Sequence, residues 1–135
     1  MDKKPITPEG HKRLKDELDY IKNIKRQDII DAISEARAHG DLKENAEYHA
    51  AREEQGLNEA RIREIEEALS LSTVIEYKDL ENENIVKFGS LVTIIDLDSS
   101  EKKTYQIVGE FEADIEKNTI SITTPIGKAL LKKET

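Results

Sequence analysis

Asp41 and Glu44 are two carboxylates three residues apart. They follow Gly40 in the stretch Ala36-Arg37-Ala38-His39-Gly40-Asp41-Leu42-Lys43-Glu44-Asn45-Ala46-Glu47-Tyr48. Such a pair can supply oxygen ligands to a divalent cation, or orient a water for attack. The spacing also has a purely structural use, because Asp at the N-cap with Glu at N3 starts a helix. On spacing alone, the cap accounts for both residues. Arg37 and Arg52 flank the pair, and solvated charge or ion pairing with Asp41, Glu47 or Glu53 accounts for them. His39 and His49 lie close by, but their spacing fits no strong zinc motif. His39 suits a helix C-terminus, where the dipole favours a cation. Tyr48 could stack on a base or pack between helices, and packing is the commoner use.

Something must hold these residues, and the flanking segments read as two helices. Thr7 is an N-cap, Pro8 sits at the first helical position, and Glu9 places an acid in the first turn. Leu14, Leu18, Ile21, Ile24, Ile29, Ile33 and Ala36 step by threes and fours, with one step of five. Gly40 is the residue best able to adopt the left-handed backbone that ends a helix. A helix is therefore predicted from Pro8 to His39, about 45–50 Å long. A second is predicted from Leu42 to about Leu71, with Asp41 as its N-cap. Its apolar face is Ala46, Ala50, Leu57, Ile62, Ile65 and Leu69, and the two alanines allow close approach. Gly56 inside it costs about 1 kcal/mol relative to Ala and is expected to mark a bend or a close contact. Together the helices predict an antiparallel coiled-coil hairpin over residues 1–75, with Asp41 and Glu44 at its far tip on one face of the first helical turn. A rod tip is a strange place for a catalytic pair unless the rod delivers it to something else.

From Thr73-Val74-Ile75 onward the pattern changes to short β-branched runs. Strands are predicted at 91–95, 105–108 and 119–123, with a hairpin turn over Asp96–Lys103. Thr124-Pro125 then caps a last helix, Ile126 to Lys133, expected to bury Ile126, Ala129 and Leu130. The fold class is α+β, with a second domain over residues 76–135.

Composition narrows the function classes. Charged residues make up 37% and aromatics 4%, which suits exposed helices better than one large core. Cysteine is absent, so disulfides and thiolate metal sites are excluded. No apolar run reaches membrane-span length, and Met1-Asp2-Lys3-Lys4-Pro5 lacks the apolar region of a signal peptide. A cytoplasmic protein with no membrane partner is expected. Net charge is −8, spread evenly over residues 1–75 and 76–135. Binding to free duplex nucleic acid is not expected, because such affinity depends on neutralising phosphates with Lys and Arg.

The stretch from Glu35 to Glu53 resembles, almost residue for residue, the tip motif of the bacterial GreA/GreB transcript cleavage factors, closer to the GreA branch. Thr7-x-x-Gly10-x-x-x-Leu14-x-x-Glu17-Leu18 is similar to the family's opening helix, and Thr124-Pro125-Ile126-Gly127-Lys128-Ala129-Leu130 to its carboxy-terminal helix, with Thr for Ser. The likeness spans nearly the whole chain. It implies that residues 76–135 are an FKBP-like domain. Family members usually continue with two further strands, so the sheet is expected to be shortened at its carboxy-terminal side and to expose an unpaired edge.

The resemblance implies a function. In the family the hairpin enters the secondary channel of a backtracked RNA polymerase, and the tip acids assist cleavage of the RNA 3′ end. Asp41 and Glu44 are then the catalytic residues and share a Mg²⁺ with the polymerase. No cofactor is expected to be tightly bound to the chain alone, since one or two carboxylates hold Mg²⁺ weakly. Arg37 and Arg52 are implied to contact RNA phosphates, and Thr124 and Pro125 the polymerase. The protein would not be an enzyme by itself; it would complete another enzyme's site. Two other readings are a paralogue that occupies the same channel and inhibits without cleavage, and a coiled-coil adaptor without catalysis. A peptidyl-prolyl isomerase is disfavoured by the few aromatics of the second domain, Tyr77, Phe88, Tyr105 and Phe111.

Overall fold

The computed structural model describes residues 3–41, 43–77 and 85–133. In chain order these form β1 (Lys4–Ile6), α1 (Pro8–Tyr20), a π-helical segment (Ile21–Lys25), α2 (Arg26–Arg37) and α3 (Ala46–Leu71). There follow β2 (Ser72–Val74), β3 (Leu91–Ile95), β4 (Lys102–Val108), a 3-10 turn (Ile115–Lys117), β5 (Thr119–Ser121) and α4 (Pro125–Leu130). The chain is α+β. It forms two compact units: Lys12–Ser70, and the residues up to His11 together with those from Leu71 onward. Among the described residues, no helix is long and apolar enough to cross a membrane.

Lys12–Ser70 is a helical hairpin. The long helix expected before Gly40 exists as one helical path in three parts, with right-handed backbone at both Tyr20 and Arg26. In the middle part the Arg26 N–H donates to the Ile21 carbonyl, five residues back. Such a turn takes in one residue more than an α-turn. Ile21 and Ile29 are both buried although eight residues apart. With one residue absorbed, eight counts as seven, about two α-turns, and the two side chains share a face. The single five-residue step in the apolar pattern was its trace in the sequence. Ile24, counted there as part of the stripe, is 54% exposed.

The buried face of α3 differs from the expected one. Ala51, Asn58, Ile62, Ile65 and Ala68 are buried, with Tyr48, Gln55 and Leu69 half-buried. Tyr48, Ala51, Gln55, Asn58, Ile62, Ile65 and Leu69 alternate steps of three and four, the spacing of a helix seam. Ala46, Ala50 and Leu57 are exposed instead. Two polar residues occupy the seam, so a search for apolar residues alone drifts off it. Asn58 belongs there because its amide donates to the Ile21 carbonyl at 3.0 Å. On either side, Arg26 makes a two-point contact with Glu59 at 2.8 and 2.9 Å, and Arg61 with Glu17 at 2.7 and 2.8 Å. These pairs bridge the two antiparallel helices. Of the bend or close contact expected at Gly56, the contact is not made, since a Cβ there would meet nothing within 4 Å.

The other unit carries two small sheets. β3, β4 and β5 lie in that order, β3 antiparallel to β4 (Leu91 opposite Gln106, Ile95 opposite Lys102) and β4 parallel to β5. Asp96 and Glu101 close the hairpin through a backbone bond of 2.9 Å, and Ser100 takes a positive φ of 60°. β1, which the sequence reading did not anticipate, pairs in parallel with β2, Ile6 opposite Val74. Among the described residues of this unit, Ile6, Val86, Ile107, Val108 and Ile120 are the buried apolar side chains.

One buried carboxylate organises the start of α1. Glu112 accepts from the Thr7 N–H at 2.8 Å, from the Gly109 N–H at 2.9 Å and from the Thr7 hydroxyl. The Thr7 hydroxyl oxygen in turn accepts from the Gly10 N–H at 3.0 Å, the cap expected from the sequence. A Cβ on Gly10 would fall within the Glu112 side chain.

At the other end of the chain, Thr124 caps α4 as expected: its hydroxyl accepts from the Gly127 N–H at 3.1 Å and donates to the Ser121 carbonyl at 2.8 Å. The buried face is not the expected one. Gly127 is buried against the Ser121 carbonyl, which leaves no room for a Cβ, whereas Ile126 and Ala129 are exposed and Leu130 is half-buried. Close approach of the two backbones turns the helix so that its smallest residue faces inward.

Candidate functional site

The residues singled out first lie between α2 and α3. α2 ends at Arg37, and Gly40 turns the chain with a φ of 111°, as the sequence suggested. The second helix starts later than expected. Leu42, where it was expected to begin, lies outside the described residues, but Lys43, Glu44 and Asn45 are non-helical and α3 opens at Ala46.

Asp41 is therefore not the N-cap. Its Oδ1 accepts from the Lys43 N–H at 3.0 Å, a local Asx turn. Asn45 takes the capping role, its Oδ1 accepting from the Tyr48 N–H at 3.0 Å. Its Nδ2 donates to the Ala36 carbonyl at 2.7 Å, in the last turn of α2. An ionised Asp only accepts, so it could cap one helix but not tie to the other; Asn does both. The sequence signal for this is an Asn directly before an alanine and an acid, which competes with the Asp-x-x-Glu just ahead of it.

Asp41 and Glu44 thus sit on the tip loop, not on a shared helical face, and both are exposed. Glu44 makes no hydrogen bond or ion pair among the described residues. His49 contributes a ring nitrogen 3.0 Å from the Lys43 carbonyl. Tyr48 packs on Ile29, Ile33 and Ala51, with its ring edge-on to His49 at 5.6 Å between centroids. Arg52 donates to the Gln55 side chain at 2.8 Å. Arg37 is exposed in the last turn of α2, where the dipole favours a cation. Thr124 and Pro125 belong to the sheet-bearing unit, Pro125 exposed at the first position of α4.

The perturbed carboxylates lie along the rod, away from the tip. Hydrogen bonding to the Arg61 guanidinium holds Glu17 below the ordinary carboxylate range, and Arg26 does the same to Glu59. No cluster of three or more metal-ligating side chains exists among the described residues. Among the described residues, the carboxylates the tip loop offers as oxygen donors are those of Asp41 and Glu44.

The chain thus combines a helical hairpin that exposes two acids on its loop with a small sheet-bearing unit. Residues 4–74 match the family model "Transcription elongation factor, N-terminal" and residues 80–135 match "Transcription elongation factor, GreA/GreB, C-term". The chain belongs to the GreA/GreB family of transcription elongation factors. It is 53% identical over 133 residues to transcription elongation factor GreA of Francisella tularensis subsp. novicida (strain U112), an alignment covering 98% of this chain and 83% of the relative. Among solved structures it is similar to GreA factor homolog 1 (Gfh1) of Thermus thermophilus, at 28% identity and a TM-score of 0.51 over 98% of this chain and 84% of that one. Gfh1 of Thermus aquaticus is similar at 27% identity and a TM-score of 0.52, over 100% and 86% of the two chains.

Proposed function

We propose that this elongation factor inserts its hairpin into the secondary channel of a backtracked RNA polymerase and stimulates the polymerase's own Mg²⁺-dependent cleavage of the RNA 3′ end. The reading rests above all on the exposure of Asp41 and Glu44 in a loop whose sequence resembles the family's tip motif. The hairpin is taken as a coiled coil over residues 1–75 and the remainder, 76–135, as an FKBP-like domain; the family models matched at 4–74 and 80–135 support that division.

Bound at the shared site, Mg²⁺ would supply charge neutralisation for the phosphodiester oxygens. Asp41 uses one carboxylate oxygen for the Lys43 N–H and keeps the other for ligation. Glu44 carries no internal hydrogen bond to give up among the described residues, and it orients the attacking water as a base. Arg37 and Arg52 contact RNA phosphates near the 3′ end, and Thr124 and Pro125 meet the polymerase. Since the chain contributes only two ligands, it acts as a cofactor of the polymerase in the cytoplasm and not as an enzyme alone.

The test is a stalled, backtracked elongation complex carrying 3′-labelled RNA, with saturating factor. The expected result is release of a short labelled fragment by the wild type, and its loss in Asp41→Ala and in Glu44→Ala with binding retained. Binding without release by the wild type would replace this reading with plain occupancy of the channel.

A further inference from the structure

The loop between α2 and α3 carries both acids, and one side chain ties together the two helices that flank it. We infer that Asn45 is a positioning residue for the acidic tip: its amide, holding the last turn of α2 and the first turn of α3 together, sets where Asp41 and Glu44 are presented. The inference rests on the cleavage reading above.

Three observations carry it. Asn45 is half-buried and uses both ends of its amide, Nδ2 on the Ala36 carbonyl at 2.7 Å and Oδ1 on the Tyr48 N–H at 3.0 Å. Ala36 is 2% exposed and Tyr48 packs on Ile29, Ile33 and Ala51, so both anchor points belong to the packed part of the hairpin. Within the loop, the Asp41 carboxylate is turned onto the Lys43 N–H, and the Lys43 carbonyl meets the His49 ring. The loop is thereby fastened at Ala36, at Lys43 and at Asn45. Acids displaced by about 1 Å from a reacting phosphate lose up to about a hundredfold in rate, so fixing the loop matters to chemistry as well as to stability.

Asn45→Ser separates the two roles. Serine keeps the cap on α3, being nearly as good an N-cap as Asn, but has no amide to reach Ala36. The expected result, in the backtracked-complex assay, is a maximal cleavage rate lowered about ten- to a hundredfold. The concentration for half-maximal effect and the thermal midpoint stay close to wild type. Asn45→Ala, which loses cap and tie, falls in both rate and thermal midpoint. Wild-type cleavage by Asn45→Ser at saturation overturns the inference.

A second readout needs no polymerase: backbone order parameters of Asp41, Lys43 and Glu44. They are expected to drop in Asn45→Ser, and equal values in both proteins also overturn the inference. If the wild type fails to cleave while these order parameters differ, the cleavage reading fails and the positioning role of Asn45 stands.

Discussion

The side-chain amide of Asn58 donates to the backbone carbonyl of Ile21 at 3.0 Å, and that carbonyl also accepts from the Arg26 N–H five residues on. A polar residue on the seam of α3 thus meets the one place in the facing helix where the hydrogen-bond ladder changes. Asn58→Ala removes a donor and leaves a gap, and should cost about 1–3 kcal/mol in urea unfolding. Asn58→Leu should cost less, because Ile21 keeps its Arg26 partner and the volume is refilled. An equal loss in both variants would mean that the hydrogen bond, not the packing, dominates.

The π-helical segment makes a prediction about deletions. Removing Asn23 shortens the step from Ile21 to Ile29 to seven and lets the helix close as a regular α-helix. Stability should stay near wild type. Removing Asp31 from the regular part of α2 rotates Ile33 and Ala36 away from the seam and should cost about 3 kcal/mol or more. Equal damage from the two deletions would refute the absorbed-residue account of this segment.

Two glycines inside helices should respond with opposite signs. Gly56 faces open space, so Gly56→Ala should stabilise by about 0.5–1 kcal/mol through helix propensity alone. Gly10→Ala improves propensity equally, yet its Cβ displaces the buried Glu112 carboxylate from three donors. It should destabilise by on the order of 2 kcal/mol. Thermal midpoints of the two variants, measured side by side, decide the matter.

Acid should weaken the rod through Glu17. Its hydrogen bond to Arg61 lowers the folded-state pKa, so the unfolded chain takes up the proton first as pH falls. The contribution of Glu17 is then complete above the unfolded carboxylate pKa, near about 4.3, and disappears as pH drops through the depressed folded value. Comparing wild type with Glu17→Gln from pH 7 downward, the stability gap should shrink below about pH 4.3. The pair is partly exposed, so the gap is small and narrows further with salt. A gap that widens in acid would contradict this.

Much of the architecture was legible. The Thr7 and Thr124 caps, the turn at Gly40 and strand β3 follow from local chemistry: hydroxyls that cap, a residue free to take positive φ, and a run of β-branched side chains. The misses are tertiary. β1 is three residues long with a proline at its centre, and only its pairing with β2 makes it a strand. The seam of α3 was displaced because Gln55 and Asn58 carry no apolar signal, and the value of Asn58 lies in a carbonyl across the hairpin. At the tip, the residue types were readable but the division of labour was not. Asp41 and Asn45 can both cap, and the choice is made by Ala36, nine residues back from Asn45.

The parallel pairing of β1 with β2 has a consequence for evolution. Parallel neighbours cannot be joined by a tight turn, so residues 7–71, the helical hairpin included, form one long connection from Ile6, the last residue of β1, to Ser72, the first of β2. Closing a loop costs only about 0.6 kcal/mol more for each doubling of its length. Whole turns can therefore be gained or lost in matched pairs on the two arms without changing the pairing of β1 with β2. The length of the hairpin is thus an adjustable quantity, free of the register in which β1 meets β2.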